Sequence, residues 1–121
     1  MISDPLADLL IRMKNAGMVK HRQLSVPYSR QKEALVKVLA GTGYLESYEV
    51  KDRELIIKNS HLVNAKRLSK PGSRLYASVA DLPRYLRGRR LTILSTSSGL
   101  MTARDAFQKK LGGELIAYVE K

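Results

Sequence analysis

The stretch LTILSTSSGLMTARDA, residues 91–106, decides the fold of the C-terminal half. Leu91 to Ser95 is apolar and β-branched, which reads as a strand. Ser95, Thr96, Ser97 and Ser98 then set four hydroxyl side chains in a row ahead of Gly99. Thr102-Ala-Arg-Asp105 has the spacing of a capping box, in which the Thr hydroxyl and the Asp carboxylate each satisfy a free backbone amide. A helix therefore starts at about Ala103 and runs to Leu111, Gly112-Gly113 break it, and ELIAYVE (114–120) makes a last strand. The expected order is strand, hydroxyl loop, helix, strand.

Upstream of this stretch, Asp4 can cap a first helix with Pro5 at its first position. Leu6, Leu9, Leu10 and Met13 fall on one face, and Gly17 offers a left-handed stop. Leu24-Ser25-Val26 suggests a strand closed by Pro27. Ser29 can cap a second helix whose Ala34, Leu35, Val38 and Leu39 face the core, with Gly41 and Gly43 ending it. YLESYEV (44–50) and RELIIK (53–58), parted by Lys51-Asp52, predict a hairpin. His61 to Ser69 alternates weakly, Lys70-Pro71-Gly72 is a turn signal, and SRLYAS (73–78) resumes extended structure, so a second hairpin is the simplest reading. Asp81 with Pro83 can start a short helical turn that Gly88 ends. The expected fold class is α+β in two small lobes, α-β-α-β-β over 1–62 and mostly antiparallel β with one short helix over 63–121. They should meet near residues 59–66 without a long linker.

With 22 Lys and Arg against 11 Asp and Glu, the 121-residue chain carries a net charge of +11. A polyanion is the natural partner of such a chain. Residues 1–60 hold ten basic and seven acidic side chains, residues 61–121 twelve and four. Lys66, Arg67, Lys70, Arg74, Arg84, Arg87, Arg89 and Arg90 stand against Asp81 alone between 66 and 90, and this segment is the expected electrostatic footprint. The alternative is a solvated basic surface kept for solubility.

No Cys is present, which removes disulfides, thiol catalysis and Cys-based metal sites together. A zinc site would have to combine His21 and His61 with carboxylates, so no metal is expected. No apolar run is long enough to span a bilayer. The N-terminus has Asp4 where a secretory signal needs positive charge, so the expected location is cytoplasmic.

Catalysis finds little support. A nucleophile elbow needs Gly on both sides of its Ser, and Ser95 occupies the earlier Gly position before Ser97. Ser29-Arg30-Gln31-Lys32 matches a Ser-x-x-Lys pattern, but at a helix start and without companion motifs. Gly41-Thr42-Gly43 ends a helix instead of opening one, so it is no dinucleotide loop. The expectation is a non-enzyme with no cofactor and no small-molecule substrate; the alternative is a basic enzyme acting on a phosphate ligand. Membrane attachment would need a basic amphipathic helix that the first helix does not supply.

The hydroxyl loop suits nucleic acid better than either. Small residues beside Gly99 present hydroxyls and amides to phosphates, and in the shallow minor groove of A-form RNA they reach 2′-hydroxyls and base edges. No zinc finger, basic zipper or basic recognition helix argues for DNA. Tyr76 offers a ring for stacking, or half-buried packing between Leu75 and Ala77.

RLSKPGSRLY (67–76), LTILSTSSGLMTARDA (91–106), KKLGGELIAYV (109–119) and the N-terminal SDPLADLLIRMKNA strongly resemble the bacterial family of small-subunit ribosomal protein eight. The resemblance implies a two-lobed α+β fold and a protein of the cytoplasmic ribosome. It implies binding to the central domain of small-subunit (16S) rRNA, a role in assembling the platform, and small-subunit ribosomal proteins five and twelve as neighbours. Carried onto matching residues, it implies an RNA loop at Ser95, Thr96, Ser97 and Gly99. It also implies a Pro-Gly region of Lys70, Pro71, Gly72, Arg74 and Tyr76, and N-terminal contacts at Asp4, Lys14 and Asn15. The chain departs from the family pattern where Gly88-Arg89-Arg90 replaces Gly-Leu-Gly, Ser98 replaces a Lys, and Ala103 replaces an Asp. Arg89 and Arg90 are expected to supply nearby the charge that Ser98 lacks.

Overall fold

Helix α1 (Pro5–Met18) forms where the sequence sets apolar residues three and four apart, and it buries Leu6, Leu9, Leu10, Met13 and Ala16. The computed structural model describes residues 4–19 and 22–120, so His21 lies outside the described residues. The Asp4 side chain accepts the Ala7 amide at 3.4 Å, satisfying one of the donors a helix start leaves open. After strand β1 (Gln23–Pro27), the Ser29 hydroxyl does the same for Lys32 at 3.2 Å and starts α2 (Arg30–Gly41). Strands β2 (Leu45–Lys51) and β3 (Glu54–Ser60) pair as a hairpin whose turn residues Asp52 and Arg53 take φ of 52° and 63°. The first sheet has the order β1-β3-β2. The α-β-α-β-β run is as the sequence predicts.

The second sheet is antiparallel throughout and contains β4 (Asn64–Arg67), β5 (Tyr76–Ala77), β6 (Leu91–Thr96), β7 (Gly99–Thr102) and β8 (Gly113–Glu120). Its main order is β4-β8-β6-β7, and β5 joins β8 beyond the end of β4. A 3-10 helix (Val79–Leu86) and α3 (Ala103–Gln108) cover one of its faces.

Within the second sheet three expectations are corrected. Residues 64–78 do not form a hairpin, because β4 and β5 run in the same direction along one edge of β8. Leu68 and Ser69 continue that edge through amide bonds to Ile116 and Leu115, and Leu75 resumes it by accepting from Leu115. Residues 70–74 are thus an excursion from a nearly continuous edge strand. The segment after the hydroxyl residues does not pass straight into a helix, because Gly99–Thr102 pairs with β6 as β7. Four residues show no alternation of their own, and only the partner strand makes them a strand. Helix α3 also stops at Gln108, short of Leu111, where Lys110 turns left-handed at φ 57°. Its start is as expected, with the Thr102 hydroxyl accepting the Asp105 amide at 3.1 Å.

Successive strand residues point to opposite faces, so the second sheet feeds two cores. Ile93, Ala117 and Val119, with Ile116, join α1, α2 and the first sheet in one apolar cluster. Leu94, Leu115, Met101 and Ala77 join Leu82, Ala103 and Ala106 in another on the far side.

Gly17 is not a helix stop. It lies inside α1, where a Cβ would stand 2.8 Å from the Leu62 carbonyl oxygen and 3.2 Å from that of Ser60. Gly17 lets the helix press on the chain between the sheets, where the Ser60 hydroxyl also donates to the Met13 carbonyl at 3.1 Å. Gly17→Ala gains about 1 kcal/mol of helix propensity but must displace backbone, an overpacking cost of roughly 1–3 kcal/mol. We expect a net loss of thermal stability, read by calorimetry, whereas Gly41→Ala, with nothing within 4 Å of its Cβ, should be neutral or stabilising.

Candidate RNA-binding surface

Ser97 and Ser98 form the tip of the hairpin that joins β6 to β7. The Thr96 hydroxyl donates to the Gly99 carbonyl at 2.9 Å and accepts the Ser98 amide at 3.1 Å. Gly99 has φ +103°, a conformation that side-chain-bearing residues avoid, and it carries the chain into β7. The four hydroxyls are therefore unequal. Thr96 holds the turn, Ser95 is half-buried on the strand, and Ser97 and Ser98 stand exposed with their side chains available.

Strand pairing places Tyr76, Glu114, Ser95 and Leu100 in one row across β5, β8, β6 and β7. Directly opposed residues of an antiparallel sheet share a face, and two strand spacings put Tyr76 about 10 Å from Ser95. Tyr76 is 71% exposed, so its ring is presented to solvent and not packed.

The excursion at 70–74 borders the same row. Lys70 and Ser73 exchange both backbone hydrogen bonds, at 3.0 and 2.9 Å, with Pro71-Gly72 between them. Its base is clamped by Ser69, fully buried, whose hydroxyl accepts the Leu75 amide at 3.0 Å and donates to Glu114 at 2.6 Å. Glu114 also takes the Arg74 guanidinium at 3.0 Å. Beside it, Arg67 holds Asp4 at 3.2 Å and donates to the Ile116 carbonyl at 2.7 Å.

These groups line a groove of about 560 Å³ between the sheet and the starts of α1 and α2. It gathers Asp4, Pro71, Arg74, Ser95 and Gly99, with Arg30, Gln31, Arg67 and Glu114 beside them. Sequence reasoning did not single out Arg30, Gln31, Glu114 or Ser69 for binding, and it placed Arg67 only in the basic footprint. Arg67 and Arg30 were visible as cations, but only the fold shows which side of the sheet they reach.

Other expected site residues lie apart. Lys14 and Asn15 are about three helical turns along α1 from Asp4, roughly 15 Å. Arg89 and Arg90 precede the opposite end of β6, roughly 20 Å along the strand from the Ser97-Ser98 tip. They therefore do not stand beside Ser98 to replace a missing Lys there. Arg90 instead lies 3.6 Å from Glu120 and stacks 4.3 Å above the Tyr118 ring.

Burial acts to raise the Glu114 pKa, but the Ser69 hydroxyl and the Arg74 guanidinium together outweigh it and hold the carboxyl below its ordinary value of 4.5. The stabilisation from the charged form is complete above that value and is lost as pH falls through the lower folded pKa. Glu114→Gln should therefore cost roughly 1–2 kcal/mol at pH 7, read as a lower Tm. The two proteins should converge as the medium is acidified well below pH 4.5.

The family model for Ribosomal protein S8 matches residues 4–119. The chain is 40% identical to small ribosomal subunit protein uS8 of Mycoplasmopsis synoviae (strain 53), over 98% of each chain. It is 44% identical to the protein of that name from Streptococcus pyogenes serotype M5 (strain Manfredo), again over 98% of each. Relatedness at this level spans both sheets and the hydroxyl hairpin together, and the family is one of structural proteins, not enzymes. The chain belongs to the ribosomal protein S8 family.

Proposed function

We propose that this protein is a structural constituent of the small ribosomal subunit that binds the central domain of 16S rRNA and helps assemble the platform. The lobe from residue 63 onward carries the main recognition surface. The observation that supports this reading is the row that sets exposed Tyr76 and half-buried Ser95 on one face, with Ser97 and Ser98 uncovered at its end. A base turned out of a distorted helix can stack on the Tyr76 ring while the serine hydroxyls meet 2′-hydroxyls and base edges. Lys70 and Arg74 contact flanking phosphates. Lys14 and Asn15, farther along α1, serve a separate stretch of rRNA, and small-subunit ribosomal proteins five and twelve are the neighbours in the assembled particle.

The groove behind the row sets orientation more than affinity, because Asp4 and Glu114 already neutralise Arg67 and Arg74. Asp4 is committed to Arg67 and to the helix cap, so its part in RNA binding is to position Arg67.

Replacing Ser97 and Tyr76 together by Ala removes one stacking platform and one hydroxyl. On central-domain rRNA fragments this should weaken binding by roughly 10- to 100-fold in a filter-binding titration. On a duplex of arbitrary sequence the loss should stay within about twofold, and the salt slope should not change because no charge is removed. Equal losses on both RNAs would reduce the hairpin to an ordinary turn.

A further inference from the structure

The face of the second sheet turned away from the hairpin groove has a cationic recess of its own. Neighbours on β4 divide between the two: Arg67 lines the groove, and Lys66, pointing the other way, lines the recess. Tyr118, opposed to Lys66, forms its floor, and Arg84, Tyr85 and Arg87 from the 3-10 helix and the residue after it, with Arg90, complete its walls. The recess measures about 350 Å³ and no carboxylate lines it. Arg90 leans on Glu120 at 3.6 Å and Arg84 feels Asp81, whereas Lys66 and Arg87 have no acidic partner among the described residues. In the groove the balance differs, since two carboxylates face three guanidiniums there. The cations that run together in the sequence are therefore divided, with Arg67 and Arg74 in the groove beside carboxylates and Lys66, Arg84, Arg87 and Arg90 in a recess that no carboxylate lines.

We infer that this recess is a second RNA-backbone site, so that one sheet holds two RNA segments at once, one against each face. The inference rests on the rRNA-binding reading. Four exposed cations in an open hollow hold a lone phosphate weakly, because each interaction is screened by solvent, but a phosphodiester chain engages them together and releases several counterions. The Arg90 guanidinium, 4.3 Å from the centroid of the Tyr118 ring, can meet a base on its outer side. An acidic protein surface would satisfy the charges but would leave the outer side of the Arg90 guanidinium without a stacking partner.

The test uses the full chain on an immobilised central-domain rRNA fragment, with a labelled second duplex of about 16 base pairs and arbitrary sequence, long enough to span successive minor grooves. The inference expects retention of the labelled duplex wherever protein is held. The variant Lys66→Ala/Arg84→Ala/Arg87→Ala should lose that retention at least tenfold further than it loses attachment to the fragment, and Arg84→Lys/Arg87→Lys should restore most of it. Protein held on the fragment without capture of the duplex, or equal capture by the triple variant, overturns the inference alone. Displacement of the duplex by poly-glutamate at equal charge also overturns it, in favour of an acidic protein partner. Protein that shows no preference for the fragment defeats the rRNA reading instead. The recess is then judged by titrating the duplex directly: removing three phosphate contacts should lower the log–log salt slope by roughly 3, and an unchanged slope rejects the site.

Discussion

Strand β8 is hydrogen-bonded along both edges, and the rest of the molecule is arranged around that ladder. On one side it takes β6; on the other it takes β4, then Leu68 and Ser69, then Leu75 and β5. A strand paired on both sides has no freedom of register, because a slip by one residue would turn every side chain to the wrong face. A bulge at Ile116, where the pairing with β6 steps from Ile93–Ala117 to Leu94–Leu115, is what assigns Ala117 and Val119 to the core shared with the helices and Leu115 to the core beneath the 3-10 helix. The same register lines up Tyr76, Glu114 and Ser95, residues nearly forty positions apart in sequence at the extremes. It also sends Lys66 and Arg67 to opposite sides.

Carboxylates then decide where the positive charge is usable. Arg67 is nearly buried, its side chain 9% exposed, and an unpaired guanidinium there would be costly. Asp4 answers that cost and ties the first turn of α1 to the sheet at the same time. Glu114 does the corresponding work for Arg74 and for the buried Ser69 hydroxyl at the base of the 70–74 excursion. Both acids are therefore part of the scaffold that fixes the excursion and the groove. Neither is an obstacle to a polyanion, because each is already matched.

The sequence made the local structure legible and left the long-range pairing obscure. Caps at Asp4, Ser29 and Thr102 act within three residues, so their spacing alone located the three helix starts. The β2-β3 hairpin was readable for the same reason. Residues 64–78 were not, because a turn signal as strong as Lys70-Pro71-Gly72 ordinarily reverses the chain, and here both flanks run the same way along β8. β7 was missed because a four-residue strand has no period of its own. At the candidate site the hydroxyl and Pro-Gly residues were visible as motifs. Glu114 and Ser69 were not, since an isolated acid in a final strand and a single Ser gain their meaning only from a partner about forty-five residues away. The contiguous basic run misled in the opposite sense, because adjacency in a strand implies separation in space.

The chemistry of the hairpin tip follows from how Thr96 is used. Since its hydroxyl closes the turn in both directions, the geometry of Ser97 and Ser98 is set without their own side chains taking part. A charge at the tip would attract any phosphate backbone and would add affinity without discrimination. A neutral hydroxyl acts differently. In water it is satisfied, and when pressed against RNA it must find a partner or lose roughly 1–3 kcal/mol of solvation. On the proposed reading, two such groups on the tip would penalise an RNA surface that does not match them, while the cations nearby would bring RNA of any sequence into range. On the same reading, attraction comes from the flanks and selection from an uncharged tip, a role for Ser97 and Ser98 that needs no nucleophile.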